Sequence, residues 1–378
     1  MKYYIIAGEP SGDLHGSNLM KGLRKSDPEA EFRFWGGDMM AEVGGKENLV
    51  KHYREMSFFG FVQVAMNIRT ILSQMGDCCR DIMAFAPDVV ILIDYPGFNV
   101  KIAEFAHGKG IPVHYYIAPK VWAWKEHRVK DIRKYVRQVF SILPFEVDFY
   151  RKHGMQIMYV GNPTLNEVDE KLSHIISEED FRSKNDLSSE PVLALVPGSR
   201  ISEIKSNLPY MVKAAENLKG VHLTVIAAAP GIDSSIYDEI APEVKRITGQ
   251  TFELMNYACA ALVTSGTATL ETALLGTPQV VVYRAVGSKF VYNLFKHILK
   301  VKFVSLPNLI ANRDIVKELL LHLCTVKNIS ENLNDIWLGG EKREAMIRDY
   351  EELRCLLGTS DAPMLTAQTI YSELTDNV

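Results

Sequence analysis

"VVILIDYPGFN", residues 89–99, sets the reading of the fold. Five apolar, mostly β-branched residues run without a polar break and then meet Asp94, Pro96 and Gly97. A run this short and this uniformly apolar predicts a strand covered on both faces, as strands of parallel sheets are. Pro96 and Gly97 end it. Asp94 at its tip has two readings: a turn residue, or a carboxylate placed to take a proton.

The same pattern recurs on both sides of this stretch. Strand-like runs stand at residues 2–8, 32–37, 88–94, 112–118, 138–143 and 157–161, and again at 191–198, 221–228, 261–265 and 279–284, with a weaker one, "FVSLP", at 303–307. Helical patterns separate them, so the expected fold class is α/β with parallel sheets. The series restarts after the polar stretch at 160–191, which carries Pro163 and Pro191. Two similar Rossmann-like domains follow, 1–165 and 166–340. Residues 341–378 show no strand pattern and read as two helices, the first ending at Gly358, that pack back on the first domain or on a partner chain.

Composition narrows the class. The chain has 378 residues, 47% of them apolar, with a formal net charge of -4. That is more than one ordinary core holds, and nothing in the charge balance calls for nucleic acid. The start, "MKYYIIAGEPSGD", reads as a strand feeding a loop and not as a signal peptide. No window approaches the roughly 18 apolar residues of a membrane span. Cys78, Cys79, Cys259, Cys324 and Cys355 are odd in number and form no C-x-x-C, so a reducing cytoplasm is expected. The ten histidines show no paired ligand spacing, which leaves no support for a dedicated metal site.

In open parallel sheets ligands gather beyond the carboxyl ends of the strands, and the candidate residues fall there. "AGEPSGDLHG", residues 7–16, follows the first strand; Gly8, Ser11 and Gly12 either line a sugar or acceptor site or form an ordinary βα turn capped by Ser11 or Asp13. Glu9 inside the loop argues against a pyrophosphate resting on it. "LVTSGTATLETALLGTP", residues 262–278, places Ser265, Gly266 and Thr267 at a helix start whose amides suit a diphosphate, with Glu271 one turn on. The alternative is that Thr267 merely caps the helix. "LVPGSRISEIK", residues 195–205, repeats the strand, turn and helix and sets Arg200 where it could grip a phosphate; most arginines in such loops are simply solvated. Asn308 in "FVSLPNLIANRD" is a turn residue or a polar contact.

Two further stretches concern surfaces. In "EMSFFGFVQVAMNIRTILSQM", residues 55–75, Phe61, Val64, Ile68 and Leu72 share one helical face, and Phe58 and Phe59 widen it. It is either a core helix or an apolar surface that meets lipid. "KVWAWKEHRVKDIRKYVR", residues 120–137, has seven Lys or Arg against two acids, with Trp122 and Trp124 near its start. It reads equally as a headgroup-facing segment or as a solvated basic helix.

"GEPSGD", "IDYPGFN", "VWAWKEHR", "LPFE", "LVPGSR", "SGTATLE" and "VSLPNLI" occur in the order seen in lipid-A-disaccharide synthases. The chain resembles that family from its first strand to about residue 320. The resemblance implies an inverting GT-B glycosyltransferase with two Rossmann-like domains facing across a cleft and no metal or cofactor, the UDP-sugar being a substrate. It implies transfer of 2,3-diacylglucosamine from UDP-2,3-diacylglucosamine to the 6-hydroxyl of lipid X, giving the β-1,6 disaccharide and UDP in lipid A biosynthesis. Asp94 would be the catalytic base and Glu9 a second functional acid. Ser199, Arg200, Ser265, Gly266, Thr267, Thr269, Glu271, Tyr283 and Asn308 would serve the UDP side. The 58–75 stretch would face the inner membrane from the cytoplasm, and a homodimer through the C-terminal helices is conceivable.

Two positions depart from the family pattern. Gly97 stands where relatives often carry Asp, so Asp94 is the single acid of its motif, and "VGNP" replaces "VGHP". A UDP-sugar 2-epimerase is the alternative enzyme, and a non-catalytic nucleotide-sugar or lipid-binding protein the alternative class.

Overall fold

The computed structural model describes residues 1–56, 68–124, 126–218, 220, 223–284 and 302–376; the side chains of 68, 123 and 124 lie outside the description. The chain forms two units, Met1–Pro163 with Thr359–Val378, and Thr164–Gly358.

The first unit is built on seven strands: β1 (Lys2–Ala7), β2 (Glu31–Gly36), β3 (Leu49–His52), β4 (Val89–Ile93), β5 (Val113–Tyr116), β6 (Gln138–Ser141) and β7 (Met158–Tyr159). They lie in the order β3-β2-β1-β4-β5-β6-β7. Every pairing is parallel. The alternation of each strand divides its residues between two cores. Tyr4, Ile6, Val90 and Leu92 point into one, and Tyr3, Ile5, Val89, Ile91 and Ile93 into the other. All five residues of β4 are buried, which is why its sequence shows no polar alternation. Each fully buried aliphatic side chain contributes about 1.5–3 kcal/mol.

The second unit holds β8 (Val192–Val196), β9 (Leu223–Ala228), β10 (Lys245–Thr248), β11 (Ala260–Thr264), β12 (Gln279–Tyr283) and β13 (Lys317–Leu320). Their order is β10-β9-β8-β11-β12-β13, again all parallel. In each sheet the strand order reverses direction once, between β1 and β4 and between β8 and β11. Crevices for ligands open at such points.

Three strands were not expected from the sequence: β3, β10 and β13. The run "FVSLP" is no strand. Ser305 stands at the N-cap of a helix, Leu306–Ala311, and the strand lies further on at β13.

The helical tail divides, contrary to its reading as one appendage. Helix Arg343–Leu357 stays in the second unit and buries Met346, Tyr350, Leu353 and Leu357. Helix Ala362–Thr375 packs on helix Pro10–Ser26 of the first unit. A Cβ on Gly22 would lie 3.0 Å from the Ala367 Cβ, so glycine permits this close approach. Ala362, Ala367 and Ile370 join the core beneath. Both helices spend their buried faces within the chain, which removes the sequence argument for a tail-mediated dimer. Among the described residues no helix is long and apolar enough to cross a membrane.

Candidate active site

Ala7 pairs with Ile93 across the β1–β4 ladder, so the next residues on the two neighbouring strands are Gly8 and Asp94. Asp94 and Tyr95 both adopt left-handed backbone, with φ of 43° and 48°. Such conformations cost a non-glycine residue of the order of 1 kcal/mol each and persist only where the surroundings enforce them. The enforcement is visible. The Asn99 side chain, fully buried, donates to the carbonyls of Ile93 (3.2 Å) and Asp94 (2.8 Å). The Tyr115 hydroxyl donates to the same Asp94 carbonyl, and the Asp94 amide donates to Ile117 (3.3 Å). The Tyr95 hydroxyl reaches the Met56 carbonyl at 3.1 Å.

This turn presents a half-buried carboxylate. Burial raises the Asp94 pKa above the ordinary carboxylate value, opposed by the Lys120 ammonium and the Tyr95 amide. A base with raised affinity for a proton is what deprotonation of a hydroxyl at neutral pH calls for. The loop after β1 lies against it. Gly8 is buried under the Tyr95 ring; a Cβ there would sit 2.4 Å from Tyr95 Cγ. Glu9, half-buried at the start of helix Pro10–Ser26, bears electrostatically on the Tyr95 hydroxyl. Gly12 abuts Ala7, and Ser11 is exposed. The capping alternative fails here. No side chain caps this helix, and Asp13 instead accepts the amides of Gly37, Met39 and Met40 at the start of helix Asp38–Gly44.

In the second unit the turns after β8 and β11 leave adjacent strands, since Val196 pairs with Val263. Gly198 has φ 110° and Glu203 accepts the Ser199 amide at 3.3 Å. Arg200 precedes helix Ile201–Glu216, is exposed, and meets Glu203 at 3.2 Å. Ser265 is half-buried, while Gly266 and Thr267 are exposed. No side chain caps helix Thr267–Leu274, so Thr267 does not act as its cap. The Thr269 amide donates to the Gly266 carbonyl at 3.2 Å, and the exposed Gly266–Thr267 start of the helix is where an anion would be met. Glu271 is half-buried in that helix and bears on Glu167. Tyr283 ends β12, beside Ser265. Asn207 ties the strand ends together: it donates to Thr264 Oγ1 (3.0 Å) and accepts from the Arg284 amide (2.8 Å).

Two residues expected to serve the nucleotide spend their side-chain hydrogen bonds within the fold. The Thr269 side chain is buried and donates to Gly266 O at 2.7 Å, closing the turn. Asn308 is fully buried, and its amide is used up within the fold. It donates to Val316 O and Glu318 Oε1 and accepts from the amides of Ile315 and Val316. Its role is to hold the 303–318 segment.

For the surfaces, Phe58, Phe59, Phe61, Val64 and the Ile68 side chain lie outside the described residues. Helix Ile68–Phe85 carries Leu72 at 58% exposure, whereas Met75 packs on the core. Trp122 does not face headgroups: its Nε1 donates to Glu146 at 2.8 Å and its ring meets Phe145 edge-on. The basic stretch breaks into Val121–Trp124 and Val129–Tyr135. Among the described residues no group of three or more His, Cys, Asp or Glu could hold a metal ion. Sequence reasoning missed Asn99, Tyr115, Lys120 and Glu146. "LPFE" carried the last of these as a family signature without a role.

By fold, the chain is similar to the UDP-GlcNAc 2-epimerase from Neisseria meningitidis, with a TM-score of 0.62 at 13% identity over all of both chains. It is equally similar to the calicheamicin glycosyltransferase CalG4, at 0.61 and 12% identity over 100% and 99%. Such likeness places the fold among GT-B proteins. Sequence similarity is closer. The chain is 37% identical to the lipid-A-disaccharide synthase of Myxococcus xanthus over 98% of this chain and 97% of that protein, and 36% identical to that of Syntrophus aciditrophicus over 95% and 94%. The family model for lipid-A-disaccharide synthetase matches residues 3–364, and the chain belongs to that family.

Proposed function

We infer that the chain is a glycosyltransferase that forms the lipid A disaccharide, transferring 2,3-diacylglucosamine from UDP-2,3-diacylglucosamine to the 6-hydroxyl of lipid X with release of UDP. The observation that carries the reading is the placement of Asp94, a buried-edge carboxylate on an enforced left-handed turn at the first sheet's reversal point.

An acceptor hydroxyl is a poor nucleophile until its proton leaves. Asp94 takes that proton as the oxygen attacks the anomeric carbon. The bond from that carbon to the UDP oxygen breaks on the opposite side, which inverts the configuration. Charge developing on UDP is met by the Ser265 hydroxyl, by the amides at Gly266 and Thr267, and by Arg200 once it exchanges Glu203 for phosphate. Glu9 is assigned to the acceptor side. Membership of the family disfavours both the epimerase and the non-catalytic reading. The lipid nature of both substrates, with Leu72 exposed on helix Ile68–Phe85, supports peripheral work on the cytoplasmic face of the inner membrane.

The test is Asp94→Asn. It should retain UDP affinity by calorimetry and lose disaccharide formation, read by mass spectrometry, by roughly 10²-fold or more. Turnover near the wild-type rate would remove Asp94 as the base.

A further inference from the structure

Charged side chains follow three neighbouring strands of the first sheet: Asp94 directly after β4, Lys120 further along the segment after β5, and Glu146 in the first turn of helix Phe145–Lys152 after β6. The mechanism above uses only the first. Glu146 is 1% exposed. One carboxylate oxygen accepts from Trp122 Nε1 at 2.8 Å and the other from the Ser141 hydroxyl. Ser141 in turn accepts the Leu143 amide at 3.1 Å, locking the turn into helix Phe145–Lys152.

A buried carboxylate is costly, and a glutamine could hold both partners without that cost: its oxygen accepts from Trp122 and its amide donates to Ser141, whose hydroxyl then donates to the Leu143 carbonyl at 2.9 Å. The acid therefore has a use beyond packing. Its surroundings say what that use is. Trp122 belongs to Val121–Trp124, directly after Lys120. Lys120 acts on both Asp94 and Glu146, and Asp94 acts on Glu146. The buried Tyr150 hydroxyl on Glu146's own helix is a further titratable neighbour.

We propose that Glu146 is a positioning residue for the transfer reaction: it anchors Trp122, and with it the Lys120 segment, and sets the charge that Asp94 experiences. This rests on the reading of Asp94 as the base. Burial pushes the Glu146 pKa up to about 7, with the Ser141 and Trp122 hydrogen bonds and Lys120 opposing and Asp94 adding to it. As pH rises through neutrality, Glu146 loses its proton and adds a negative charge to the edge that carries Asp94.

The experiment is the pH profile of kcat/KM from pH 5 to 9 for the full chain and for Glu146→Gln, Glu146→Ala and Asp94→Asn, with UDP-diacylglucosamine and lipid X. The wild type should show a second inflection near neutral pH. Glu146→Gln, which keeps both partners with the Ser141 bond reversed, should stay within about threefold of wild-type kcat and lose that inflection. Glu146→Ala frees Trp122 and should lose about tenfold or more, a loss that glutamine rescues. A Glu146→Gln profile superimposable on the wild type overturns the proposal, and it decides the matter even if the alanine variant fails to fold by circular dichroism. If Asp94→Asn is inactive while Glu146→Gln is unchanged, only the role of Glu146 fails. If Asp94→Asn turns over normally, the base assignment fails first.

Discussion

Replacing Gly8 by alanine tests whether the two turns at the first reversal point are one mechanical unit. The added Cβ would lie 2.4, 2.6 and 2.7 Å from Tyr95 Cγ, Cδ1 and Cδ2. Carbon atoms rest about 3.5–4.0 Å apart, so the ring must retreat by about 1 Å. It has little freedom to do so. Its hydroxyl is tied to Met56 O at 3.1 Å and its face packs on Phe98 with centroids 5.6 Å apart. Overpacking costs about 1–3 kcal/mol, and a weakened hydrogen bond adds about 1 kcal/mol. Gly8→Ala should therefore destabilise the first unit by roughly 2–4 kcal/mol. Asp94 immediately precedes the displaced residue, and a 1 Å misplacement of a reacting group costs about 10²-fold in rate. The decisive comparison is the same change in a Tyr95→Ala background. There the Cβ meets no ring, and Gly8→Ala should be neutral or stabilise by about 0.4–1 kcal/mol through the unfolded chain. Urea unfolding followed by tryptophan emission, in a Trp337→Phe background, reports on this unit, because the other three of the four tryptophans, Trp35, Trp122 and Trp124, belong to it. Equal costs in the two backgrounds, or no cost in either, would refute the coupling between the turns.

Two further outcomes follow from side chains outside that contact. Arg200→Ala should weaken UDP binding about 10–100-fold by calorimetry while leaving unfolding unchanged, since the exposed Arg200–Glu203 pair contributes little to stability; unaltered affinity would take Arg200 out of the phosphate site. His114 is fully buried on β5, its ring nitrogens have no hydrogen-bond partner among the described residues, and burial, then Arg137, lowers its pKa to about 3. The unfolded chain binds that proton near pH 6.5 and the folded chain does not, so this contribution is fully present above about pH 6.5 and is lost as pH falls towards 3. Its ceiling is about 5 kcal/mol, reduced by Glu373, whose raised pKa acts in the opposite sense. His114→Leu should flatten the acid limb of the stability–pH curve of the first unit, and an unchanged limb would assign it to other groups.

The central strands were legible because their environment is uniform: β1, β4, β8 and β11 are covered on both faces, and each reads as an unbroken apolar run. The sequence reading missed β3, β10 and β13 because they lie at sheet edges, where one side of the backbone ladder has no neighbour and charged side chains are tolerated. "KRIT" and "KELL" carry one fully buried residue each, so no periodic signal survives. "FVSLP" failed for the converse reason: Phe303 is buried but Val304 is 38% exposed, and the run leads into a helix.

The site divides along the same physical line. The strand-end placement of Asp94, Gly8 and Arg200 was readable because the local pattern locates strand ends. The bonding of Asn308 was not readable, because a polar side chain near a turn looks alike whether it meets a ligand or its own backbone. What separates the cases is Glu318 and Val316, contributed about ten residues further on. Glu146 lay beyond reach for a stronger reason. Its partners Trp122 and Ser141 sit on different segments, and its charge matters because Asp94 and Lys120 follow neighbouring strands of the sheet. Local sequence locates a group that acts alone at a strand end. A group that acts by tuning another is defined by the lateral order of strands, so the search for further functional acids in this fold runs along the carboxyl edge of the sheet rather than along the chain.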